Sequence, residues 1–366
     1  MRKTTVDKNF QFIKSIFPGV ILALIFCLFS QGINNVLAIE IFGTTKSPIS
    51  TVLIAILLGI LMGNAFTPRP GMMIGLDFTQ QYILKLGIIF LGIRLSFSDF
   101  VRFGSIAIPL VIFCIVGVLI LIKLLIKKVP ISSKMSYLIA IGTSVCGATA
   151  IVATAPVINA KKTEVAYAIA NITLFGVIAM LTYPYFAEWY FDNNSLDAGL
   201  FLGTSIHETS QVAAAGLIYD QQFNNPETLD VATVTKLIRN TFLVILIPLF
   251  AFLYNRGEVQ DQKYSILSIF PYFVIGFMGM IIVRNLGDQL FPIDNDHYYI
   301  WSKFIEYLKI SATVFLTMAM AAVGISINLI ELKSMGYKPF VVGLIAATTV
   351  GIISLTYIEI IKNFLI

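Results

Sequence analysis

The chain has 366 residues, 57% of them hydrophobic and only 12% charged, with a net charge of +5 and a mean hydropathy of +0.87. Apolar runs long enough to span a bilayer recur from one end to the other, so the expected class is an all-α polytopic membrane protein with about 11 membrane segments. No stretch between these runs is long enough for a separate soluble domain, and Lys and Arg lie at the ends of apolar runs rather than in a basic patch, which excludes nucleic acid as a partner.

Residues 1–17 are short, polar and basic, with Arg2, Lys3, Lys8 and Lys14. They read as a cytoplasmic N-terminal segment ahead of one integral domain, 18–366. The apolar run from Pro18 to about Ala38 exceeds the core of a cleavable signal, so it reads as a retained first span in a bacterial inner membrane. A second span is expected over residues 49–66, ended by the rigid turn Pro68-Arg69-Pro70. A third, near 80–97, contains Arg94 at its end, where the guanidinium either snorkels to the interface or faces an anion. The fourth, 105–126, stops at the cytoplasmic marker Lys127-Lys128 and Lys134.

The next segment, 134–160, is interrupted by Gly142-Thr143-Ser144-Val145-Cys146-Gly147-Ala148. Small residues and hydroxyls at this density fit a broken helix whose exposed N–H and C=O groups become ligands. A sixth span covers 164–187, followed by Glu188, Asp192 and Asp197. Then comes the most polar intramembrane stretch, Gly203-Thr204-Ser205-Ile206-His207-Glu208-Thr209-Ser210-Gln211. An ionisable residue inside a bilayer costs on the order of 3 kcal/mol on insertion scales and marks a functional site by default. A polar loop over 219–234 is expected next, leading to an eighth span that opens with Lys236, Arg239 and Asn240, ends near Tyr254, and is marked by Arg256 and Lys263. Further spans are expected near 265–283, 308–330 and 339–361, with an acidic loop holding Asp288, Asp294, Asp296 and His297.

Two internal echoes stand out. Gly142-Thr143-Ser144 repeats as Gly203-Thr204-Ser205, and Gly92-Ile93-Arg94-Leu95-Ser96 as Gly324-Ile325-Ser326-Ile327-Asn328, with Asp99 and Glu331, then Gly104 and Gly336, at the same offset. Together they predict an inverted-repeat scaffold, with repeat-like parts at about 49–187 and 196–361. If 134–160 and 196–218 are re-entrant, the loop charges obey the positive-inside tendency and the two hairpins enter from opposite faces. Full crossing by discontinuous helices is the other reading.

The chemistry suits a small anion. Dehydrating one requires N–H donors from broken-helix N-termini, hydroxyls from Thr143, Ser144, Thr204 and Ser205, and positive charge. Lys236 and Arg239, three apart on one helix face, supply that charge unless they are helix-end anchors. Cys146, Gly147, Gln211 and Asn240 complete the candidate site. His207 and Glu208 suit proton coupling, since imidazole titrates near physiological pH and a carboxylate also carries a proton.

These motifs, together with Lys236-Leu237-Ile238-Arg239-Asn240 and Ala319-Met320-Ala321-Ala322-Val323-Gly324, resemble the YeiH-like sulfate exporter family of bacterial membrane proteins over nearly the whole chain. The resemblance implies kinship with the bile-acid symporters and sodium/proton antiporters, and so secondary transport of sulfate, sulfite or a similar anion, with a proton or sodium as coupling ion. An organic-carboxylate symporter and an anion channel share these features. Helical transporters of this size often assemble as homodimers, though no motif here specifies one. An enzyme is not expected: Cys146 would need activation by His207, and nothing in the spacing requires it. No phosphate-binding Gly-x-x-x-x-Gly-Lys-Ser/Thr loop occurs, no Cys/His spacing resembles a zinc site, and Cys27 and Cys114 read as reduced packing residues. No cofactor is implied.

Overall fold

The computed structural model describes residues 5–43, 47, 49–66, 68–125, 132–254, 271–294, 297–330 and 337–365, and every regular element within them is helical. The first part of the chain forms α1 (Thr5–Val36, continued by a π-turn, Leu37–Ile41), α2 (Thr51–Ala65), α3 (Pro70–Phe78), a π-turn (Thr79–Ile83), α4 (Leu84–Leu91) and a 3-10 turn (Gly92–Arg94). Next come α5 (Phe97–Leu125), α6 (Ser133–Ser144), α7 (Ala148–Thr154), α8 (Lys162–Phe191), α9 (Ser195–Ser205) and α10 (Thr209–Phe223). The remainder holds α11 (Pro226–Thr241), α12 (Leu243–Tyr254), α13 (Phe273–Leu290), α14 (Tyr298–Ser326) and α15 (Tyr337–Leu365). Among the described residues, eight helical stretches are long and apolar enough to cross a membrane, and Thr51–Ala65 is a shorter apolar helix.

Three expected boundaries move. Pro70 opens a helix instead of closing a turn, because its missing N–H costs nothing at the first helical position, so that span runs Pro70–Arg94. The expected polar loop over 219–234 is almost entirely helical: α10 extends to Phe223 and α11 starts at Pro226. Its apolar residues Tyr219, Leu229, Val231, Ala232 and Val234 are fully buried, so the stretch packs inside the protein as helix. Asp288, expected in a loop, lies on α13, where it accepts from Trp301 Nε1 at 2.9 Å and pairs with Arg284 at 2.6 Å. The markers Lys127, Lys128, Arg256, Lys263, Asp296, Glu331 and Gly336 fall outside the described residues.

The chain divides into two compact units. One comprises residues 1–97, 217–224 and 275–329, the other 98–216, 225–274 and 330–366. In the first unit, Ala23, Phe26, Cys27, Ala55, Leu76, Met318, Ala321 and Ala322 form a buried core. α2 and α14 touch backbone to backbone: a Cβ on Gly59 would lie 2.6 Å from Ala321 O, and one on Gly324 would lie 2.5 Å from Ile56 O. The second echo lies in this unit, and its two copies share a geometry. After Gly92 and after Gly324 the helix ends in the same way, with Leu95 N–H donating to Gly92 O (3.3 Å) and Ile327 N–H to Gly324 O (3.2 Å), each donor residue extended. An asparagine from a neighbouring helix supports each end. Asn285 Oδ1 accepts from Phe97 N–H (3.2 Å), and Asn64 Oδ1 accepts from Leu329 N–H (2.9 Å), two positions related by the same offset as Gly92 and Gly324. Each asparagine also donates to the carbonyl four residues before it, both at 2.8 Å.

The second unit holds two helical hairpins. Lys134 Nζ donates to Asn159 O at 2.7 Å and Ser132 Oγ donates to Glu164, so the chain leaves and returns at one level. α6, with 12 residues, is about 18 Å long, well short of the ~30 Å hydrocarbon core. Asn225 Nδ2 donates to Asn193 Oδ1 (2.8 Å) and Ser195 Oγ to Glu227, which closes the base of α9–α10 in the same manner. In both hairpins the closing pair is a Ser and a Glu 32 residues apart. The 30-residue α8 runs from the base of the first hairpin to the base of the second, so the hairpins approach one another from its opposite ends. α15 lines them: Phe340 packs on Phe175 at 5.0 Å, Ser354 Oγ bonds Thr204 Oγ1 at 2.6 Å, and Lys362 pairs with Asp197 at 3.2 Å.

Candidate functional site

Each hairpin breaks just after its Gly-Thr-Ser. α6 ends at Ser144, and the turn Val145–Gly147 carries Gly147 at φ 68°, ψ −126°, a conformation that glycine alone adopts without strain. α9 ends at Ser205, and Ile206 to Glu208 lead into α10. A helix end leaves its last carbonyls without intrahelical donors and carries partial negative charge. Two such ends meet here, and α11 answers them.

Lys236 and Arg239 are both fully buried. Lys236 Nζ donates to Val145 O and Ile206 O, each at 2.9 Å, and to His207 O. Arg239 Nε donates to Ser144 O at 2.8 Å, its Nη1 to Ile206 O at 3.3 Å and to Thr204 O, and its Nη2 to Thr143 O. The two side chains thus hold Thr143, Ser144 and Val145 of one tip against Thr204, Ile206 and His207 of the other. An ammonium has three donors, and all three are spent on carbonyls. These residues are therefore neither interfacial anchors nor free ligands. They join the tips and supply positive charge at depth. α11 approaches α9 closely enough to do this because Gly199 and Gly203 face Val231 and Thr235, where a Cβ would come within 2.6 Å of either side chain.

Glu208 is the carboxylate at this junction. It accepts from the Ala148 backbone N–H and packs on Gly147, where an added Cβ would lie 2.5 Å from its Cγ. Gln211 is locked too: its Oε1 accepts from Glu208 N–H and its Nε2 donates to Thr173 O, both at 3.3 Å, with the amide filling the notch at Gly176. Thr204 Oγ1 bonds Leu200 O and Ser354, and Asn240 Nδ2 bonds Thr209 Oγ1 at 2.9 Å. Among the described residues ten buried side-chain N and O atoms have no hydrogen-bond partner, and five of them cluster here: Ser144 Oγ, Ser205 Oγ, His207 Nδ1, Thr235 Oγ1 and Asn240 Oδ1. All five belong to the hairpin tips or to α11 beside them, and a buried polar atom left unpaired points to a ligand or water.

Twelve of the thirteen expected site residues therefore lie in one unit, around one junction. Cys146 sits in the first turn within the field of Lys236 and Arg239. Arg94 belongs to the other unit, where both its Nη atoms lie 3.4 Å from Asp220 Oδ2. Sequence reasoning did not find Thr235, Ser354 or the Ser–Glu pairs at the hairpin bases. The recurrence of Ser132…Glu164 as Ser195…Glu227 was the available signal. Among the described residues no group of three or more His, Cys, Asp or Glu side chains is placed to hold a metal ion.

A helical chain with eight membrane-length spans and two hairpins whose tips meet on buried cations is a polytopic membrane protein. It belongs to the family described as Conserved hypothetical protein 698, whose model matches residues 18–343. It is similar to a UPF0324 membrane protein of Streptococcus agalactiae serotype V, 33% identical over 344 residues that cover 93% of this chain and 96% of the relative. It is likewise similar to UPF0324 membrane proteins of Fusobacterium nucleatum, 32% identical over 86% of this chain and 91% of the relative, and of Clostridium tetani, 28% identical over 94% and 96%. No solved structure matches.

Proposed function

We propose that the protein is a secondary active transporter that exports a small inorganic or organic anion of the sulfate, sulfite or sulfonate type, by alternating access, across a bacterial inner membrane in which its N-terminus is cytoplasmic. The observation that carries this reading is the hairpin junction. At that junction the described charged side chains are Lys236, Arg239 and the single carboxylate Glu208. The excess positive charge in a low-dielectric setting favours an anion. Ser144, Ser205 and His207 offer it polar groups that have no partner among the described residues. The resemblance to the YeiH-like sulfate exporter family, and through it to transporters with broken helices, supports the same class. His207 and Glu208, adjacent in the second turn, are the proton-coupling candidates.

The test uses the purified chain in proteoliposomes with radiolabelled sulfate, sulfite and small sulfonates, under imposed pH gradients. Flux of at least one anion that follows the pH gradient is expected, with Ser144→Ala/Ser205→Ala weakening anion uptake about 10-fold or more if each lost charged-anion hydrogen bond contributes about 1.5–3 kcal/mol. Glu208→Gln is expected to leave anion binding while uncoupling it from protons. Flux that ignores every gradient identifies a channel, and no flux of any of these anions overturns the reading.

A further inference from the structure

The three oxygens around Lys236 Nζ are all main-chain carbonyls, from the turn of one hairpin (Val145, 2.9 Å) and the turn of the other (Ile206, 2.9 Å, and His207). A shell of neutral carbonyl oxygens at the ends of two interrupted helices is what a hard cation takes, and unwound carbonyls with helix C-termini are general cation ligands in broken-helix membrane proteins. An ammonium group and a potassium ion are close in size and equal in charge. We propose that the Lys236 ammonium is a tethered stand-in for a monovalent metal ion: it permanently fills a carbonyl cage that takes Na⁺ or K⁺ once the ammonium is removed.

Three features of the surroundings support the cage. Lys236 is wholly enclosed, so shortening its side chain opens interior space rather than a surface groove. The ends of α6 and α9 carry like partial charges that must be neutralised wherever they meet, and Arg239 alone leaves the carbonyls of Val145 and His207 without a donor. Ser144 Oγ, Ser205 Oγ and Thr235 Oγ1, on residues next in sequence to the cage residues or to Lys236 itself, are buried oxygens without a partner among the described residues. A chain that carries its own cation at this place has no need of a sodium ion to bring the hairpin tips together. That functional consequence rests on the transport reading, whereas the cage itself does not.

The experiment therefore needs no substrate. Heat unfolding of the detergent-purified full chain is followed in NaCl, KCl and choline chloride at matched ionic strength, for the wild type, Lys236→Ala and Lys236→Met. The wild-type midpoint is expected to be the same in all three salts. Lys236→Ala is expected to fall well below wild type in choline and to be raised saturably by Na⁺ or K⁺. Lys236→Met, whose long apolar side chain occupies the cage, is expected to fall without any response to salt. A saturable rise of the wild type with Na⁺ or K⁺ overturns the proposal. So does a Lys236→Ala midpoint equal in all three salts, or failure to recover folded Lys236→Ala protein in any of them, whereas recovery only when Na⁺ or K⁺ is present supports it.

Discussion

Replacing Arg239 by methionine removes the donors of Thr143 O, Ser144 O and Thr204 O, while Ile206 O keeps Lys236. A buried carbonyl left unpaired costs about 1–3 kcal/mol, so the three together cost about 3–9 kcal/mol, a large part of the ~5–15 kcal/mol that typically holds a domain together. The loss falls on the contact between the tips, so its first effect is separation of the hairpins rather than global unfolding. Cys146, 8% exposed in the first turn, reports this directly. Alkylation by a membrane-permeant maleimide, read by peptide mass spectrometry against Cys27 in the other unit, is expected to accelerate at Cys146 by about 100-fold or more, since each 1.4 kcal/mol is tenfold in the open population. Arg239→Lys keeps the charge but lacks the fork that reaches Thr143 and Thr204 on opposite tips. Orphaning one carbonyl, it is expected to accelerate labelling by about 5-fold to 150-fold. A change under about 3-fold in Arg239→Met would refute the claim that this residue joins the tips.

Gly147→Ala places a Cβ at φ 68° and 2.5 Å from Glu208 Cγ. A strong loss of monodisperse protein on size exclusion is expected, whereas Gly43→Ala, with a similar φ of 60° but open space around it, is expected to cost only the backbone strain of about 1–3 kcal/mol. Asn64→Ala and Asn285→Ala each remove support from one of the two matching helix ends in the first unit. Both are expected to lower stability by about 1–3 kcal/mol. Heat midpoints that differ widely between the two variants would show that the likeness of those ends is not energetic.

The elements most legible in the sequence were those whose signal is local. Membrane-length apolar runs announced the crossing helices, and the Gly-Thr-Ser pairs marked the two breaks because small residues and hydroxyls in lipid have few other uses. What failed was local reasoning applied to α11. Glu227, Asp230, Lys236, Arg239 and Asn240 give a composition that is equally apt for a solvated loop and for a buried helix lined with partners. Only the partners distinguish the two, and they lie 91 to 96 residues away for the first hairpin. The spacing of Lys236 and Arg239 indicated a shared face. It did not reveal that the face addresses carbonyls, because main-chain acceptors leave no trace in residue type. Arg94 shows the same limit, since its carboxylate is 126 residues distant.

The single pair of cations on α11 also sets an order of events during biogenesis. The first hairpin leaves the ribosome with its tip carbonyls exposed, and the guanidinium that satisfies Ser144 is made 95 residues later, about 5–20 s at typical elongation rates. Through that interval the side chain that meets Ser144 O in the finished fold is not yet made. A ribosome halted between the second hairpin and residue 236 would release a chain holding both hairpins with neither Lys236 nor Arg239 to pin them, which makes this interval the vulnerable one for quality control.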